Sequence, residues 1–376
     1  MLLLTLKTFS STGGIEKVSR TLAKVLYDHH HPSNGVKETT FEMVSLCDKN
    51  ENLDSRYCTP DKFSGFGGNK ILFGVSAFAK GLHHEVILLS HINLLFIAML
   101  IKFFKPKKRI ILLAHGIEVW RELRNWKKKF IQKNVEIWAV SHHTANILIN
   151  THNIDRKSIH VLNNCLDPYF KLPTKFEKPA YLLERHQINN QQPVLLTVTR
   201  LCSSELYKGY DMVIETLKDL LISFPNLKYL LAGKYDVKEK ARITKMISRD
   251  GLEKHVSLVS FIPDDELSDY FLLADLFIMP SKKEGFGIVF IEATACGCPV
   301  IAGNQDGSTD ALLNGDLGLL INPESSSELI SAIEKSLTKG KSHALSIVLQ
   351  QKCLANFSYK AYLDKVLALL RSGTPK

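Results

Sequence analysis

The sequence predicts an α/β protein made of two domains, each a parallel sheet with helices packed on its faces. A length of 376 residues suits two domains of ordinary size. Short apolar runs alternate with helix-compatible segments along the whole chain, which is typical of parallel sheets. We expect a first Rossmann-like domain over residues 1–175 and a second over residues 176–356. A last amphipathic helix, residues 357–372, is expected to cross back to the first domain.

The first domain is expected to begin with a strand at Leu2 to Leu6 and a glycine turn at Gly13-Gly14. The helix that follows has apolar residues on one face, the spacing of a helix packed on a sheet. This order of strand, glycine turn and helix can bring backbone N–H groups to a phosphate. Many other helices also begin with a Gly-Gly pair.

Three further elements of the first domain follow in order. Val86 to Leu89 is predicted as a strand, and Ile92 to Phe104 as a buried crossover helix that is too short to span a bilayer. The next strand, Arg109 to Leu113, leads to His115 at its carboxyl end, where open α/β sheets bind their ligands. A histidine that only caps the turn is the alternative.

The segment from Trp120 to Lys133 interleaves aromatic and basic residues, and we predict a single helix there. It resembles helices that lie in a membrane interface, and the alternative is a solvated helix with two packed tryptophans. Residues 1–175 hold 25 Lys and Arg against 14 Asp and Glu, whereas residues 176–376 hold 23 against 24. This one-sided basic excess favours an anionic partner for the first domain, and a general solubility charge is the alternative.

The second domain repeats the alternation of strands and helices after the linker predicted at Leu172 to Pro179. Strands are expected at Val194–Thr199, Tyr229–Ala232, Val256–Val259, Leu276–Met279, Val300–Ala302 and Gly318–Ile321. The first of them delivers Arg200 to its carboxyl end, and Lys208 with Gly209 follows in the next loop. Arginine and lysine offer charge-assisted hydrogen bonds to phosphate oxygens, and glycine allows a close approach.

The stretch from Ser281 to Asp310 combines a loop, a glycine-opened helix, a strand and a second loop. Glu284 and Glu292 are eight residues apart, which would place them on nearly one side of a helix and about 12 Å apart. That span suits the two ends of a nucleotide sugar, with the helix N-terminus between them as a seat for the diphosphate. Two solvated glutamates are the alternative.

These residues resemble the large retaining glycosyltransferase family 4 (glycosyl transferases group 1), whose fold is GT-B. The resemblance rests on the E-x7-E pattern in E-G-F-G-I-V-F-I-E and covers most of the chain, including Gly13-Gly14, Val140-Ser141, Asn164 to Asp167, Thr199 to Leu201, Lys208-Gly209 and Ala295 to Val300. It departs from the family at Cys165, at Asp306-Gly307, where Gly-Gly is common, and in the segment from Cys202 to Tyr207.

The resemblance implies a role for each site residue. Arg200 and Lys208 would hold the donor diphosphate, with Gly13, Gly14 and the backbone of Phe286, Gly287 and Ile288 completing the cradle. Glu292 would bind the ribose, Glu284 the transferred sugar, and His115 the sugar or the acceptor across an inter-domain cleft. The sequence contains no Asp-x-Asp, so the two cations are expected to replace a metal ion.

The implied activity is a retaining, metal-independent transfer of a sugar from a UDP- or GDP-sugar to a glycan or lipid-linked saccharide. No cofactor and no nucleic-acid partner are expected. The seven cysteines contain no C-x-x-C pair, and neither a signal peptide nor a transmembrane segment stands out. We therefore expect a cytoplasmic enzyme of cell-surface polysaccharide or glycoconjugate synthesis, held peripherally at the anionic membrane face by its basic first domain.

Other activities fit part of the pattern. A nucleotide-sugar epimerase or hydrolase would use the same fold and donor site. A catalytically silent membrane- or polysaccharide-binding protein of this fold would not need the whole set of site residues. Nucleic-acid binding would account for the basic first half, but it gives no reason for the two glutamates.

Overall fold

The computed structural model describes residues 1–30 and 40–372, and it divides the chain into two compact units. One unit comprises Met1–Pro168 together with the chain from Tyr359 onward, and the other is Tyr169–Ser358. The structural boundary thus lies before the proline-bearing segment that the sequence suggested as the linker. That segment is tied to the second unit, since the Pro173 carbonyl accepts a hydrogen bond from Gln350 at 3.0 Å.

The first unit is a seven-stranded, wholly parallel sheet with the strand order β3-β2-β1-β4-β5-β6-β7. Its strands are β1 (Leu2–Thr5), β2 (Glu42–Ser45), β3 (Phe63–Gly65), β4 (Val86–Leu89), β5 (Arg109–Ala114), β6 (Val135–Ala139) and β7 (Ile159–Val161). Its helices up to this point are α1 (Gly14–His30), α2 (Lys70–His83), α3 (Leu95–Phe104), α4 (Ile117–Trp120), α5 (Asn125–Asn134) and α6 (His142–His152). Strand β1 is entirely buried, as expected of a parallel strand covered on both faces.

The second unit is a six-stranded parallel sheet in the order β10-β9-β8-β11-β12-β13. Its strands are β8 (Val194–Val198), β9 (Lys228–Ala232), β10 (Val256–Val259), β11 (Leu276–Met279), β12 (Val300–Gly303) and β13 (Leu319–Ile321). Its helices are α7 (Ala180–His186), α8 (Tyr210–Ser223), α9 (Val237–Arg249), α10 (Leu267–Leu273), α11 (Ile288–Ala295), α12 (Ser308–Ala311), α13 (Ser326–Lys339) and α14 (His343–Phe357). The strands predicted for this half are confirmed. Both sheets have the doubly wound order, so each has a switch point next to its first strand.

The last helix, α15 (Tyr359–Ser372), packs on the first unit, as predicted. The Tyr359 hydroxyl donates to an Asp28 carboxylate oxygen at 2.8 Å. Arg109, at the start of β5, donates to the carbonyls of Leu369 and Leu370 at 2.8 Å each and is also paired with Glu136. The guanidinium thus binds two backbone carbonyls in the last turn of α15, where arginine side chains commonly bind helix carbonyls.

The single helix predicted for Trp120 to Lys133 is wrong. Helix α4 ends at Trp120, the backbone of Arg121 is extended, and α5 begins only at Asn125. The interruption buries the side chain of Leu123. Trp120 points inward, where its indole N–H donates to the Thr144 hydroxyl at 3.3 Å.

The expectation of a buried helix at Ile92 to Phe104 is also wrong. After a short 3₁₀ turn at Ile92–Leu94, helix α3 buries one face only. Its other face stays exposed, and the Phe103 side chain is 80% accessible. Among the helices that the structure describes, none has the length and apolar character needed to cross a membrane.

Candidate functional site

Three loops of the second unit meet at the carboxyl edge of its sheet, beside the switch point between β8 and β11. The β8–α8 loop approaches the β11–α11 loop so closely that a Cβ on Gly209 would lie 2.3 Å from the Pro280 carbonyl oxygen. Gly209 also has a positive φ of 80°, a conformation that favours glycine. A hydrogen bond of 2.9 Å from the Lys282 N–H to the Tyr207 carbonyl joins the same two loops.

This close approach brings Lys208 and Glu284 together as an ion pair. Both side chains are largely buried, with accessibilities of 13% and 15%. Burial works to lower the pKa of Lys208, but the adjacent Glu284 carboxylate outweighs it, and the net shift of this pKa is upward. Lys208 is therefore a fixed cation at neutral pH, held between two loops by a carboxylate.

The third loop, between β12 and α12, contributes the buried carboxylate of Asp306. It accepts hydrogen bonds from the Ser281 hydroxyl and the Glu284 N–H at 2.7 Å each, and from the Ser308 N–H at 2.9 Å. Burial raises the pKa of Asp306 to about 6, although the bonds from Ser308 and Ser281 favour its ionised form. The Gly307 N–H donates in turn to the Glu284 carbonyl at 2.8 Å. The backbone of Glu284 is thus held from both sides.

Arg200 lies at the end of β8, as predicted, but it is not part of this buried pair. Its side chain is 69% accessible, and its guanidinium forms an ion pair with Glu205 at 2.6 Å. The other carboxylate oxygen of Glu205 is buried and has no hydrogen-bond partner. Glu205 therefore serves as the internal counter-ion of Arg200 in this structure.

Helix α11 provides the remaining predicted donor residues. Gly287 precedes the helix with a φ of 82°, and a Cβ there would meet the Phe290 ring at 2.4 Å. The Phe286 side chain is buried against Phe357, with ring centroids 5.6 Å apart, so this residue can offer a ligand only its backbone. Glu292 lies in the second turn and is buried. The first N–H groups of the helix have no i−4 partner within it and can donate hydrogen bonds to an anion.

In the first unit, His115 follows β5 and is buried. Its Nε2 lies 3.0 Å from the Ser90 carbonyl oxygen, which can only accept, so Nε2 carries the proton and Nδ1 is left as an acceptor. Burial lowers the pKa of His115, with the Glu118 carboxylate opposing, so the imidazole is neutral near pH 7. Glu118 also fixes the backbone, because it accepts from the His115 N–H at 2.6 Å.

The loop between β1 and α1 leads to Gly13 and Gly14. Asp48, wholly buried after β2, organises it by accepting hydrogen bonds from the N–H groups of Thr8 at 2.7 Å and Ser10 at 2.8 Å. The Glu16 carboxylate lies against Gly13, since a Cβ there would be 2.4 Å from Glu16 Oε2. An anion approaching this helix end would have to displace Glu16.

The predicted site residues therefore fall into two groups. Lys208, Glu284 and the start of α11 lie in the loops at the carboxyl edge of the second sheet. Arg200 follows strand β8 of the same sheet, and Glu292 lies in α11. Gly13, Gly14 and His115 belong to the carboxyl edge of the first sheet. The sequence did not predict the contacts of four acidic residues, Glu16, Asp48, Glu118 and Glu205. Asp306 was noted only as a departure from the family pattern. Within the described residues, no group of three or more His, Cys, Asp or Glu side chains could hold a metal ion.

Part of the chain is similar in sequence to known proteins. The family model described as "Glycosyl transferases group 1" matches residues 182–347. The GDP-mannose-dependent alpha-(1-6)-phosphatidylinositol monomannoside mannosyltransferase of Mycolicibacterium smegmatis is 28% identical over 199 residues, 51% of this chain and 50% of that protein. Mannosylfructose-phosphate synthase of Agrobacterium fabrum is 25% identical over 236 residues, 61% of this chain and 51% of that one. The matched part of the chain thus spans about half the length of these relatives.

Solved structures extend the likeness of the fold to the whole chain. The crystal structure of HepE from Anabaena, in complex with UDP and glucose, matches with a TM-score of 0.77. It is 18% identical, and the match covers 99% of this chain and 100% of that one. Residues 182–347 are thus similar to the glycosyl transferases group 1 family, and the fold of the chain is GT-B.

Proposed function

We propose that the protein is a retaining, metal-independent glycosyltransferase of family 4. It moves a sugar from a UDP- or GDP-sugar to a glycan or lipid-linked saccharide. The observation that carries the proposal is the buried Lys208–Glu284 pair, held by three loops beside the N-terminus of α11. A cation, a carboxylate and a helix N-terminus are the groups that a diphosphate sugar needs at its two reacting ends.

The donor diphosphate would compete with Glu284 for Lys208. Once Lys208 and the first N–H groups of α11 hold the diphosphate, the Glu284 carboxylate is free to face the transferred sugar. Cleavage of the anomeric C–O bond leaves negative charge on the diphosphate and positive charge on the sugar. The fixed cation stabilises the first charge and the carboxylate the second, and both are in place before the reaction.

The acceptor hydroxyl would attack the anomeric carbon on the face that the diphosphate leaves. Its proton passes to the departing phosphate oxygen, so no protein nucleophile is needed and the configuration is retained. Arg200, released from Glu205, adds a second cation to the diphosphate. His115 belongs to the proposal as an acceptor through Nδ1 for a hydroxyl of the sugar or the acceptor, and Glu292 as the group that binds the ribose.

Names of relatives support the choice of donor and acceptor. One relative is described as GDP-mannose-dependent and acts on a phosphatidylinositol mannoside, and HepE was crystallised with UDP-glucose. We propose a role in cell-surface polysaccharide or glycoconjugate synthesis at the cytoplasmic membrane face. The basic first half of the chain suits an anionic membrane surface.

The test is transfer from a panel of UDP-, GDP- and ADP-sugars with a saccharide extract, with and without EDTA. We expect one donor to give a glycoside of unchanged anomeric configuration by NMR, at a rate that EDTA leaves unaltered. Free sugar or an epimerised nucleotide sugar as the main product would instead favour the hydrolase or the epimerase.

Lys208→Ala is the critical variant, and Arg200→Ala accompanies it. Loss of a preorganised charge should lower kcat by roughly a hundredfold or more. Lys282→Ala is the matched control, because Lys282 lies in the β11–α11 loop but pairs with the exposed Glu324. Near-normal transfer by the folded Lys208→Ala protein would remove this residue from the mechanism.

A further inference from the structure

Helices α2 and α3 of the first unit carry large apolar side chains on their outward faces. Their accessibilities run from 36% at Leu100 to 80% at Phe103. We define the α2–α3 face as Ile71, Leu72, Val75, Phe96, Leu100, Phe103 and Phe104. Contiguous exposed apolar surface of this kind marks a docking site, whereas single exposed apolar residues are ordinary.

The exposed residues of α3 follow the period of a helix. Phe96, Leu100 and Phe103 share one side, and the opposite side, including Ala98 and Ile101, is buried in the core. Apart from Lys102, helix α3 is therefore apolar on every side, a pattern typical of a helix with apolar surroundings on both sides. Something apolar is expected to cover the outward side.

The two helices form one surface. The Phe78 and Phe104 rings lie 5.6 Å apart, edge to face. A Cβ on Gly81 would lie only 2.3 Å from the Ile101 side chain, so glycine allows α2 and α3 to pack closely. The two helices therefore pack directly on each other, and the exposed Phe104 of α3 lies against Phe78 of α2.

The positive charges around this face indicate the kind of partner that it binds. Residues 62–117 hold eight Lys and Arg but a single acidic residue, Glu85. Lys80, Lys108 and Arg109 are paired with Glu42, Glu85 and Glu136, whereas Lys70, Lys105 and Lys107 are exposed at the ends of α2 and α3. A second copy of this chain would bring the same positive charges together and be repelled. An apolar layer with an anionic surface matches both features.

The basic helix α5 adjoins the same region. The Lys127 amino group donates to the Asn93 side chain, just before α3, at 3.1 Å. Arg121, Arg124 and Lys129 are exposed in this part of the chain, and Lys128 is half-buried. The positive rim thus continues beyond the two helices.

We propose that the α2–α3 face inserts into the interfacial layer of a bilayer rich in anionic lipids. The phenylalanines enter the acyl boundary, and the surrounding lysines contact the phosphate headgroups. The inference rests on the proposed function, which puts the acceptor at a lipid surface. It differs from the sequence-based prediction, which assigned the contact to Trp120 to Lys133, since Trp120 is partly buried and packs against the core.

The test is co-sedimentation of the full chain with vesicles of phosphatidylcholine, alone or mixed with phosphatidylglycerol, at low and moderate salt. We expect binding to the anionic vesicles that weakens with salt. The double variant Phe96→Ser, Phe103→Ser should bind roughly tenfold more weakly or worse, because it removes buried apolar area. Ile222→Ser on α8 of the second unit, also highly exposed, is the matched control and should bind like the wild type.

Three outcomes would overturn the inference: wild type that binds neither vesicle, a double variant that binds as well as wild type, or a concentration-dependent dimer that the double variant abolishes. Thermal shifts with UDP and GDP, together with the transfer assay, are measured on the same samples. If donor binding and transfer persist without vesicle binding, the membrane inference fails alone. Vesicle binding without donor binding or transfer would instead refute the proposed enzyme.

Discussion

At the scale of single residues, Glu205 is the counter-ion of Arg200, which we propose as a second cation for the donor diphosphate. The two side chains pair at 2.6 Å, and a diphosphate must replace this carboxylate to reach the guanidinium. We predict that Glu205→Gln lowers the KM for the nucleotide sugar about two- to fivefold, the equivalent of an ion pair whose arginine is largely exposed. Steady-state kinetics with the identified donor would measure this change.

The control for that prediction is Glu253→Gln, which alters an exposed glutamate elsewhere in the second unit. It should leave the KM unchanged. A KM that rises in Glu205→Gln would mean that Glu205 helps to position the loop from Cys202 to Tyr207 and does not compete with the donor.

Asp306 predicts a particular dependence of stability on pH. Its pKa is raised to about 6 in the folded protein, whereas an unfolded aspartate titrates near 3.9. Because the folded state binds this proton more tightly, the contribution of Asp306 to stability is greatest below pH ~4 and is lost as the pH rises through ~6.

The measurement is urea unfolding of wild type and Asp306→Asn between pH 4 and pH 7. The free energy of unfolding of wild type should fall relative to Asp306→Asn by about 2 kcal/mol across that range. Asp316→Asn, at an exposed position, should show no such trend. If wild type instead gained stability relative to Asp306→Asn as the pH rises, Asp306 would be ionised in the fold well below pH 6.

The residues missed by the sequence reasoning share a physical reason. Asp48 and Asp306 act by accepting hydrogen bonds from backbone groups in other loops. Nothing in the residue type or spacing announces such contacts, since they depend on which loops the fold brings together. Asp48 does follow a strand by three residues, and an acid at the carboxyl end of a parallel strand is a usable signal.

At the scale of elements, the contact between the β11–α11 and β12–α12 loops depends on Gly307. A Cβ there would lie 2.0 Å from the Gly285 carbonyl oxygen, which is backbone and cannot move aside cheaply. We predict that Gly307→Ala separates the loops, lowers the free energy of unfolding by roughly 1–3 kcal/mol and weakens donor binding. Thermal unfolding with and without the donor would show both effects.

The matched control lies in helix α2. Gly74 has no neighbouring atom within 4 Å of an added Cβ, and its φ is ordinary. Gly74→Ala should stabilise the protein by up to about 1 kcal/mol, since alanine is the better helix former. Equal stability of the two variants would show that the loops at Gly307 yield easily.

Strands were easier to predict than helices. The strands of the second sheet are continuous apolar runs bounded by turn residues, and all were found close to their predicted bounds. The single helix predicted for Trp120 to Lys133 was wrong because the burial of Leu123 outweighed the helix propensity of the sequence. The prediction that the helix at Ile92 to Phe104 is buried was wrong because an apolar sequence predicts burial and does not show what covers each face of the helix.

At the scale of the whole molecule, hydrogen bonds from Arg109 connect the last helix to the first sheet. It donates to two carbonyls of α15 and is paired with Glu136, and its own side chain is largely buried. We predict that Arg109→Ala lowers the free energy of unfolding by about 3 kcal/mol, since the largely buried Glu136 carboxylate loses its arginine and keeps a hydrogen bond from the Trp138 indole. Thermal unfolding and limited proteolysis after Tyr359 would report the release of α15.

Arg371→Ala is the control, because Arg371 is exposed on the same helix. It should change stability by less than ~0.5 kcal/mol. Unchanged proteolysis in Arg109→Ala would show that the apolar face of α15, which buries Tyr362 and Val366, holds the helix without the arginine.

The return of α15 to the first unit has a consequence for the order of folding during synthesis. The second unit is, in effect, an insertion between two parts of the first. On the ribosome the first sheet must wait, with Arg109 and Asp28 lacking their contacts to α15, until the chain beyond Tyr359 emerges. The inserted unit is continuous in sequence and can complete its fold earlier, which reverses the usual order in which the N-terminal domain is finished first.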